Sequence, residues 1–265
     1  MLTRVHHVGL VVRKLEDGLA FWGDLLGLRV SKQATVADQG VRAALLPIGR
    51  SEIELLEPVD ADGGVAKFLE KRGEGLHHVC FETPDVAAEL GAARTQGFPL
   101  IDERPRPGLA GTICFLHPKG TRGVLVELAT PPPGEHAPAP AAGPLAGLAL
   151  AEVTARSRDA AGAADLFATK LGLARAAAEP GAVEAGGVRL RFVAADATEA
   201  GPEAAALRAA LEAQGEGLAG LVLEVRDVDA AAALLAACAP VRDGAALRLA
   251  PERCHGVPLR IRRGA

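Results

Sequence analysis

The sequence predicts an α+β fold built from four βαβββ modules, paired into two domains. Three observations carry this. The stretch GEGLHHVCFE (Gly73 to Glu82) is echoed by RVHHVGLVV (Arg4 to Val12) and by GEGLAGLVLEV (Gly215 to Val225). WGDLLGL (Trp22 to Leu28) returns as FATKLGL (Phe167 to Leu173). LHPKGTRGVLVEL (Leu116 to Leu128) aligns without a gap with LAPERCHGVPLRI (Leu249 to Ile261). Repetition of a whole supersecondary unit means that each copy buries its apolar face against a sister copy.

Each element follows from local pattern. Residues 5–12 are apolar and β-branched and read as a strand. Leu15, Leu19, Trp22, Leu25 and Leu26 share one helical face, and Gly27 supplies the stop. Residues 29–36, 41–48 and 52–57 then read as three strands, and residues 65–71 as a connecting helix. The second module opens with a strand over His77–Glu82. Thr83-Pro84-Asp85 reads as a helix start, with a cap, a first-turn proline and an acid at the positive helix end. That helix runs to about Gln96 and stops at Gly97. Strands are expected at 100–103, 112–116 and 123–129, separated by the loops PRPGLAG and HPKGTRG. PPPGEHAPAPAAGP (Pro131 to Pro144) has no periodicity and reads as a semi-stiff spacer. The domains are accordingly 1–130 and 145–265, joined by the Pro/Ala linker 131–144, and His136 is solvated linker.

Composition narrows the function. The 265 residues suffice for two modest cores. A net charge of -4 supplies no basic field for nucleic acid, and 3% aromatics without Tyr leave no base-stacking platform. The four cysteines (Cys80, Cys114, Cys238, Cys254) show no C-x-x-C spacing and read as reduced, mostly buried thiols, with a site-lining role as the alternative for Cys80. The N-terminus passes straight into a strand, and no apolar run approaches the ~18–20 residues of a membrane span. A cytoplasmic protein without membrane contact is expected.

Four residues stand out by repetition. His7 opens the first strand of module one and Glu54 lies in its last; His78 and Glu127 take the matching places in module two. Paired modules would bring two imidazoles and two carboxylates together, a nitrogen and oxygen set suited to Mn, Co, Ni, Fe or Zn. A lone strand histidine is more often a core or surface residue, and a glutamate between leucines is usually solvent-facing, so pattern alone leaves both readings open. His6 and His77 are placed on the opposite strand face. His255 reads as structural, and His117 as a turn residue.

Residues 1–130 resemble methylmalonyl-CoA epimerase of the vicinal oxygen chelate (glyoxalase-like) superfamily. The matching text is RVHHVGLVV, FWGDLLGL, DQGVR, EIELLEP, VAKFLEKRGEGLHHVCFE, DERPRPG and FLHPKGTRGVLVEL. The resemblance implies that His7, His78 and Glu127 bind a divalent metal ion, with Glu54 as fourth ligand; Co2+ or Mn2+ is favoured, with Ni2+, Zn2+ or Fe2+ as alternatives. It implies an acyl-CoA substrate whose C2 proton is removed and returned on the other face. In this reading Glu54 and Glu127 carry the protons, because Ala43 stands where some family members place an additional Glu. Lys119, Arg122, Arg104 and Arg106 are candidates for CoA phosphates by charge. A glyoxalase I-type lyase of glutathione adducts, an iron extradiol dioxygenase and a metal-free small-molecule binding protein are the competing readings.

In the second half the four metal positions become Glu152, Arg191, Gly220 and Arg260. Two guanidiniums would repel a cation, so this half is expected to be a degenerate domain of the same fold without metal. Arg191 and Arg260 would neutralise Glu152 or bind an anion. The four modules suggest an internal pseudodimer, with further homodimerisation open.

Overall fold

In the computed structural model, residues 1–134, 145, 147–194 and 202–264 are described. Most of the predicted 131–144 linker, with His136, lies outside the described residues. The first half runs β1 (Arg4–Val11), α1 (Leu15–Leu19), β2 (Lys32–Val36), β3 (Val41–Ile48), β4 (Ser51–Pro58), α2 (Gly64–Arg72), β5 (Gly75–Glu82), α3 (Val86–Thr95), β6 (Arg106–Gly108), β7 (Gly111–Leu116) and β8 (Leu125–Thr130). The second half runs β9 (Ala149–Arg156), α4 (Ala160–Leu171), β10 (Ala174–Arg175), β11 (Ala182–Ala185), β12 (Val188–Val193), α5 (Pro202–Gln214), β13 (Gly217–Val225), α6 (Val228–Leu234), β14 (Val241–Asp243), β15 (Ala246–Leu249) and β16 (Leu259–Arg263).

Each half is one eight-stranded mixed sheet. The orders β2-β3-β4-β1-β5-β8-β7-β6 and β10-β11-β12-β9-β13-β16-β15-β14 are the same order twice. In both, two βαβββ modules meet through an antiparallel pair of their first strands, β1 with β5 and β9 with β13. Alternation then sorts the side chains. Val8, Leu10, Ile53, Leu55, Val79, Phe81, Val126 and Leu128 face the helices and join one large apolar core. That core also contains Val153, Phe167, Leu190, Leu221 and Leu259, so the two halves share it. The other sheet face of the first half carries two small apolar walls, one with Val11, Val41, Ala43 and Leu56, the other with Ile113, Phe115 and Ala129.

Three local expectations are corrected. The helix α1 does not continue as an α-helix to Leu26; it widens into a π-helical segment, Ala20–Leu25, with Leu26 N–H donating to Phe21 O. Pro84 lies outside helix α3: Asp85 is the cap, accepting from the Ala88 N–H at 2.9 Å, because a side-chain oxygen there meets an N–H that the helix leaves without a partner. Residues 100–103 form only a single bridge, Leu100 to Leu116, and the edge strand is Arg106–Gly108 inside the segment read as loop. Three residues containing a proline suit a sheet edge, where one face of the backbone needs no partner.

The halves are locked by reciprocal hairpin contacts. The turn before β8 lays Gly123 against Glu216, and the turn before β16 lays Gly256 against Glu74. A Cβ on Gly123 would stand 2.2 Å from Glu216 O, and one on Gly256 1.9 Å from Glu74 O. The residues before them, Arg122 and His255, both carry positive φ (53° and 52°), as matching turns of matching modules. His255 Nδ1 lies 3.2 Å from a Glu74 carboxylate oxygen, so this histidine works in the contact between halves.

Candidate metal centre

Strands β1, β4, β5 and β8 are the four central strands of the first sheet, and each contributes one inward side chain. Registers place His7 opposite Cys80, Gly9 opposite both Glu54 and His78, and Cys80 opposite Glu127. The sheet leaves room for the second imidazole at one position. A Cβ on Gly9 would stand 2.1 Å from Cε1 of His78.

His7, Glu54, His78 and Glu127 are all buried, and one ligand atom from each lies within 4.8 Å of the others. His7 Nε2 is 2.9 Å from His78 Nε2 and 3.0 Å from Glu127 Oε2. Glu54 Oε2 is 3.4 Å from each imidazole, and His78 Nε2 is 2.9 Å from Glu127 Oε2. An octahedral ion with bonds of ~2.1 Å holds neighbouring ligand atoms about 3.0 Å apart. The donor set therefore fits one divalent cation. The two imidazole nitrogens stand at hydrogen-bond distance from each other, with a carboxylate oxygen in reach of both.

Charge in the cage is self-consistent. Burial would raise the Glu54 and Glu127 pKa values, but the fields and hydrogen bonds of His7 and His78 override it and hold both carboxylates well below their ordinary range. Burial likewise opposes charge on His7, yet Cys80, Glu54 and Glu127 together lift its pKa well above the usual value. The Cys80 thiol is itself pushed up to about 12 by burial and is neutral, so the carboxylates are what hold that proton. His78 is raised against the same opposing burial, by hydrogen bonds that its ring donates to Glu127 and Glu54. Cys80 also stands near His6 and His7, but a thiol this hard to ionise is a packing group there.

Sequence reasoning missed the two preceding histidines. His6 and His77 are not turned to the opposite face. Each is the unpaired residue of a β-bulge, skipped in the β1–β5 register, and a bulge re-aims its side chain. His6 Nδ1 lies 2.9 Å from His7 Nδ1, and His77 Nδ1 3.0 Å from His78 Nδ1. Burial first, then the neighbouring imidazole, brings His6 and His77 down to about 3. Each is therefore neutral and accepts a hydrogen bond from the Nδ1–H of the ring it steadies, which leaves Nε2 of His7 and His78 facing the cage. The doublet His-His in both strands was the available signal.

The walls complete the site. Phe115 sets its ring edge-on to His78 (5.4 Å between centroids), and Phe68 sets its ring edge-on to His77 (5.0 Å). Ala43 lies in the apolar wall, with no acid beside it on its own strand pair, where its partner is Leu56. Of the four basic candidates, Arg106 reaches the cage wall: its guanidinium lies over Phe115, Nε donates to Asp102 Oδ1 at 2.9 Å, and Nη1 is buried without a partner. Lys119 and Arg122 line a cleft between the halves, and Arg104 is exposed and lines neither described cleft.

Strand registers place Glu152, Arg191, Gly220 and Arg260 at the equivalent positions of the second sheet. Glu152 lies 3.9 Å from Arg191 and 3.8 Å from Arg189, and burial raises its pKa. Arg260 does not neutralise Glu152; it pairs with Asp243 at 3.1 Å. The bulges persist, now at Ala151 and Ala219 where the first half has His6 and His77. Among the described residues of this half, no three His, Cys, Asp or Glu side chains gather as metal donors.

Comparison with known proteins places these features. Residues 6–115 match the glyoxalase/bleomycin resistance protein/dioxygenase superfamily. Protein YqjC of Bacillus subtilis is 40% identical over 136 residues, 51% of this chain and 97% of that protein. The mitochondrial methylmalonyl-CoA epimerase of Homo sapiens is 35% identical over 129 residues, 48% of this chain and 73% of the relative. The crystal structure of methylmalonyl-CoA epimerase from Mycobacterium tuberculosis is 38% identical, with a TM-score of 0.48, over 50% of this chain and 90% of that one. The chain belongs to the glyoxalase/bleomycin resistance protein/dioxygenase superfamily, among its methylmalonyl-CoA epimerase relatives.

Proposed function

We propose that this chain interconverts the two C2 epimers of methylmalonyl-CoA, using one divalent ion held by His7, Glu54, His78 and Glu127. The observation that supports it is the buried convergence of those four donors in a half that is 35% identical to a methylmalonyl-CoA epimerase. The nitrogen and oxygen donor set favours Co2+ or Mn2+ among candidates that include Ni2+, Zn2+ and Fe2+.

The substrate carries a carboxylate and a thioester on the same carbon. Its two oxygens suit the positions that four protein ligands leave open. When bound, the ion supplies Lewis-acid stabilisation of negative charge developing on those oxygens. Glu54 and Glu127, from opposite modules, accept and return the C2 proton on the two faces of that carbon. The apolar walls around Ala43 and Phe115 would shield the carbon being deprotonated from water. Arg106, expected from its charge to meet CoA phosphates, has a buried Nη1 without a partner beside Phe115, which supports a contact with the substrate's carboxylate instead. In this reading residues 1–130 form the catalytic domain, and residues 145–265 are its mate in an internal pseudodimer, a domain without metal.

The test is exchange of the C2 proton of methylmalonyl-CoA with deuterated water, with and without chelator. Metal-dependent exchange is the expected result. Turnover of a glutathione hemithioacetal instead would assign the site to a glyoxalase I-type lyase. Tight ligand binding without exchange or metal would assign a binding protein.

A further inference from the structure

The halves enclose two clefts that meet at Arg72, which lines both. The first, of about 400 Å3, is lined by Phe68, Arg72, Glu74 and Leu76 from the first half and by Arg156, Gln214 and Leu218 from the second. The second, of about 620 Å3, gathers Arg72, Lys119 and Arg122 with Arg158 and Glu216. Four cations against one acid line the larger cleft. Glu216 is already engaged, because its Oε1 accepts from Ser157 Oγ at 2.7 Å and from the Arg158 N–H at 2.8 Å. Glu74 is engaged likewise by the Arg13 N–H at 2.7 Å and by His255.

The cations themselves are poorly matched. Among the described residues, Lys119 and Arg158 have no side-chain ion pair, and Arg122 meets Asp159 only at 3.8 Å. Arg156 is 6% exposed, and its three donor nitrogens go to Gly215 O, Leu218 O and Gln214 Oε1, all neutral acceptors. Burying a guanidinium with no anion beside it is costly, and an anionic ligand in the cleft offsets that cost. Arg72, stacked over Phe68 at 5.9 Å and donating only to Gln214 O, adds a second positive charge at the same wall.

One side chain, Phe68, links the smaller cleft to the surroundings of the cage. Phe68 lines the smaller one, packs on the apolar wall of Val11, Val41 and Ala43, and sets its ring against His77. A thioester held at the cage can thus run its pantetheine arm past Phe68 and Arg72 and leave its phosphates among Lys119, Arg122 and Arg158.

We infer that this junction is the binding site for the phosphorylated nucleotide of the acyl-CoA substrate, with Arg156 and Arg158 contributed by the metal-free half. The inference rests on the acyl-CoA reading of the cage. It gives the second half a direct role: it holds the substrate's tail.

The test titrates the full chain calorimetrically with 3′-phosphoadenosine 5′-phosphate, CoA, pantetheine and inorganic phosphate, for the native protein and a K119A/R158A variant. Both substituted residues are exposed, so the fold is retained. The expected result is at least tenfold weaker binding of the nucleotide and of CoA by the variant, with a binding constant in the native protein that falls steeply with salt. Charge reversal, R158E, should weaken both further. Equal affinities in native and variant protein would overturn the inference, as would nucleotide binding no tighter than inorganic phosphate. C2-proton exchange is measured on the same samples. Nucleotide binding without exchange upholds the cleft and removes the epimerase reading; exchange without nucleotide binding does the reverse.

Discussion

His7 Nε2 and His78 Nε2 stand 2.9 Å apart, although 71 residues separate them and they come from different modules. Neither imidazole has a reason to be there except the other three donors. The pair exists because β1 and β5 are antiparallel neighbours at the junction of the modules, so a feature repeated in each module meets itself at the sheet centre.

The carboxylates are the first point of test. Glu127→Gln keeps the side-chain volume and removes an anion that, in the proposed mechanism, both accepts protons and ligates the metal. The expected outcome is a loss of about 10²- to 10⁴-fold in the C2-exchange rate, together with weaker metal retention measured by elemental analysis after dialysis. Full exchange with full metal content would remove Glu127 from the mechanism.

The bulge histidines give a second test. His77→Ala takes away the acceptor that fixes the tautomer of His78. Metal affinity should drop roughly 10- to 100-fold, the usual cost of losing such a partner, while far-ultraviolet circular dichroism stays native. His77→Gln, which retains an acceptor, should recover part of the loss; equal affinities in all three proteins would leave His77 a packing residue.

Stability of the metal-free protein should peak near the ordinary histidine pKa of 6.5. Below that value the unfolded chain takes up protons at His6 and His77, which stay neutral in the fold down to about 3. Stability therefore falls on acidification, by roughly 1.4 kcal/mol per pH unit for each ring. His7 and His78 act in the other direction. Their raised pKa values contribute stability that is complete below 6.5 and is lost as pH rises through the folded values. Glu54 and Glu127 are depressed, so their contribution persists until pH falls through their low folded values. Urea midpoints of chelator-treated protein at pH 5, 6.5 and 8 report the curve, and a flat profile would contradict it.

The lock between halves is testable at one glycine. Gly123 has a φ of +76°, and its Cβ would meet Glu216 O at 2.2 Å. Gly172 has a φ of +70° with nothing within 4 Å. Gly172→Ala carries the backbone cost alone, about 1 kcal/mol. Gly123→Ala must in addition push the halves apart, so calorimetry should find a larger drop in Tm for it. Because both sheets feed one core, each variant should still unfold in a single transition.

Much of this was legible in the sequence because repetition and alternation both survive in it. The four modules could be read from echoed text, and the strands Val41–Ile48 and Gly111–Leu116 from β-branched and apolar runs. His7, Glu54, His78 and Glu127 could be found because both modules place them alike. The bulges at His6 and His77 could not, since a skipped residue in a ladder leaves no mark in hydrophobic period. Nor could the Asp85 cap be chosen over Thr83, because both residue types cap helices. The basic junction needed three dimensions: Arg72, Lys119 and Arg158 are scattered in the chain and meet only where the halves close.

The shared core has one more implication. In an assembly of separate subunits, the surface that completes each site vanishes when the protein is diluted. If the second half completes the substrate site as inferred above, that partner is tethered to the site, at a local concentration set by chain length and unaffected by how many molecules are in the tube. Such a molecule can operate at trace abundance, and its two sheets are freed from having to be identical.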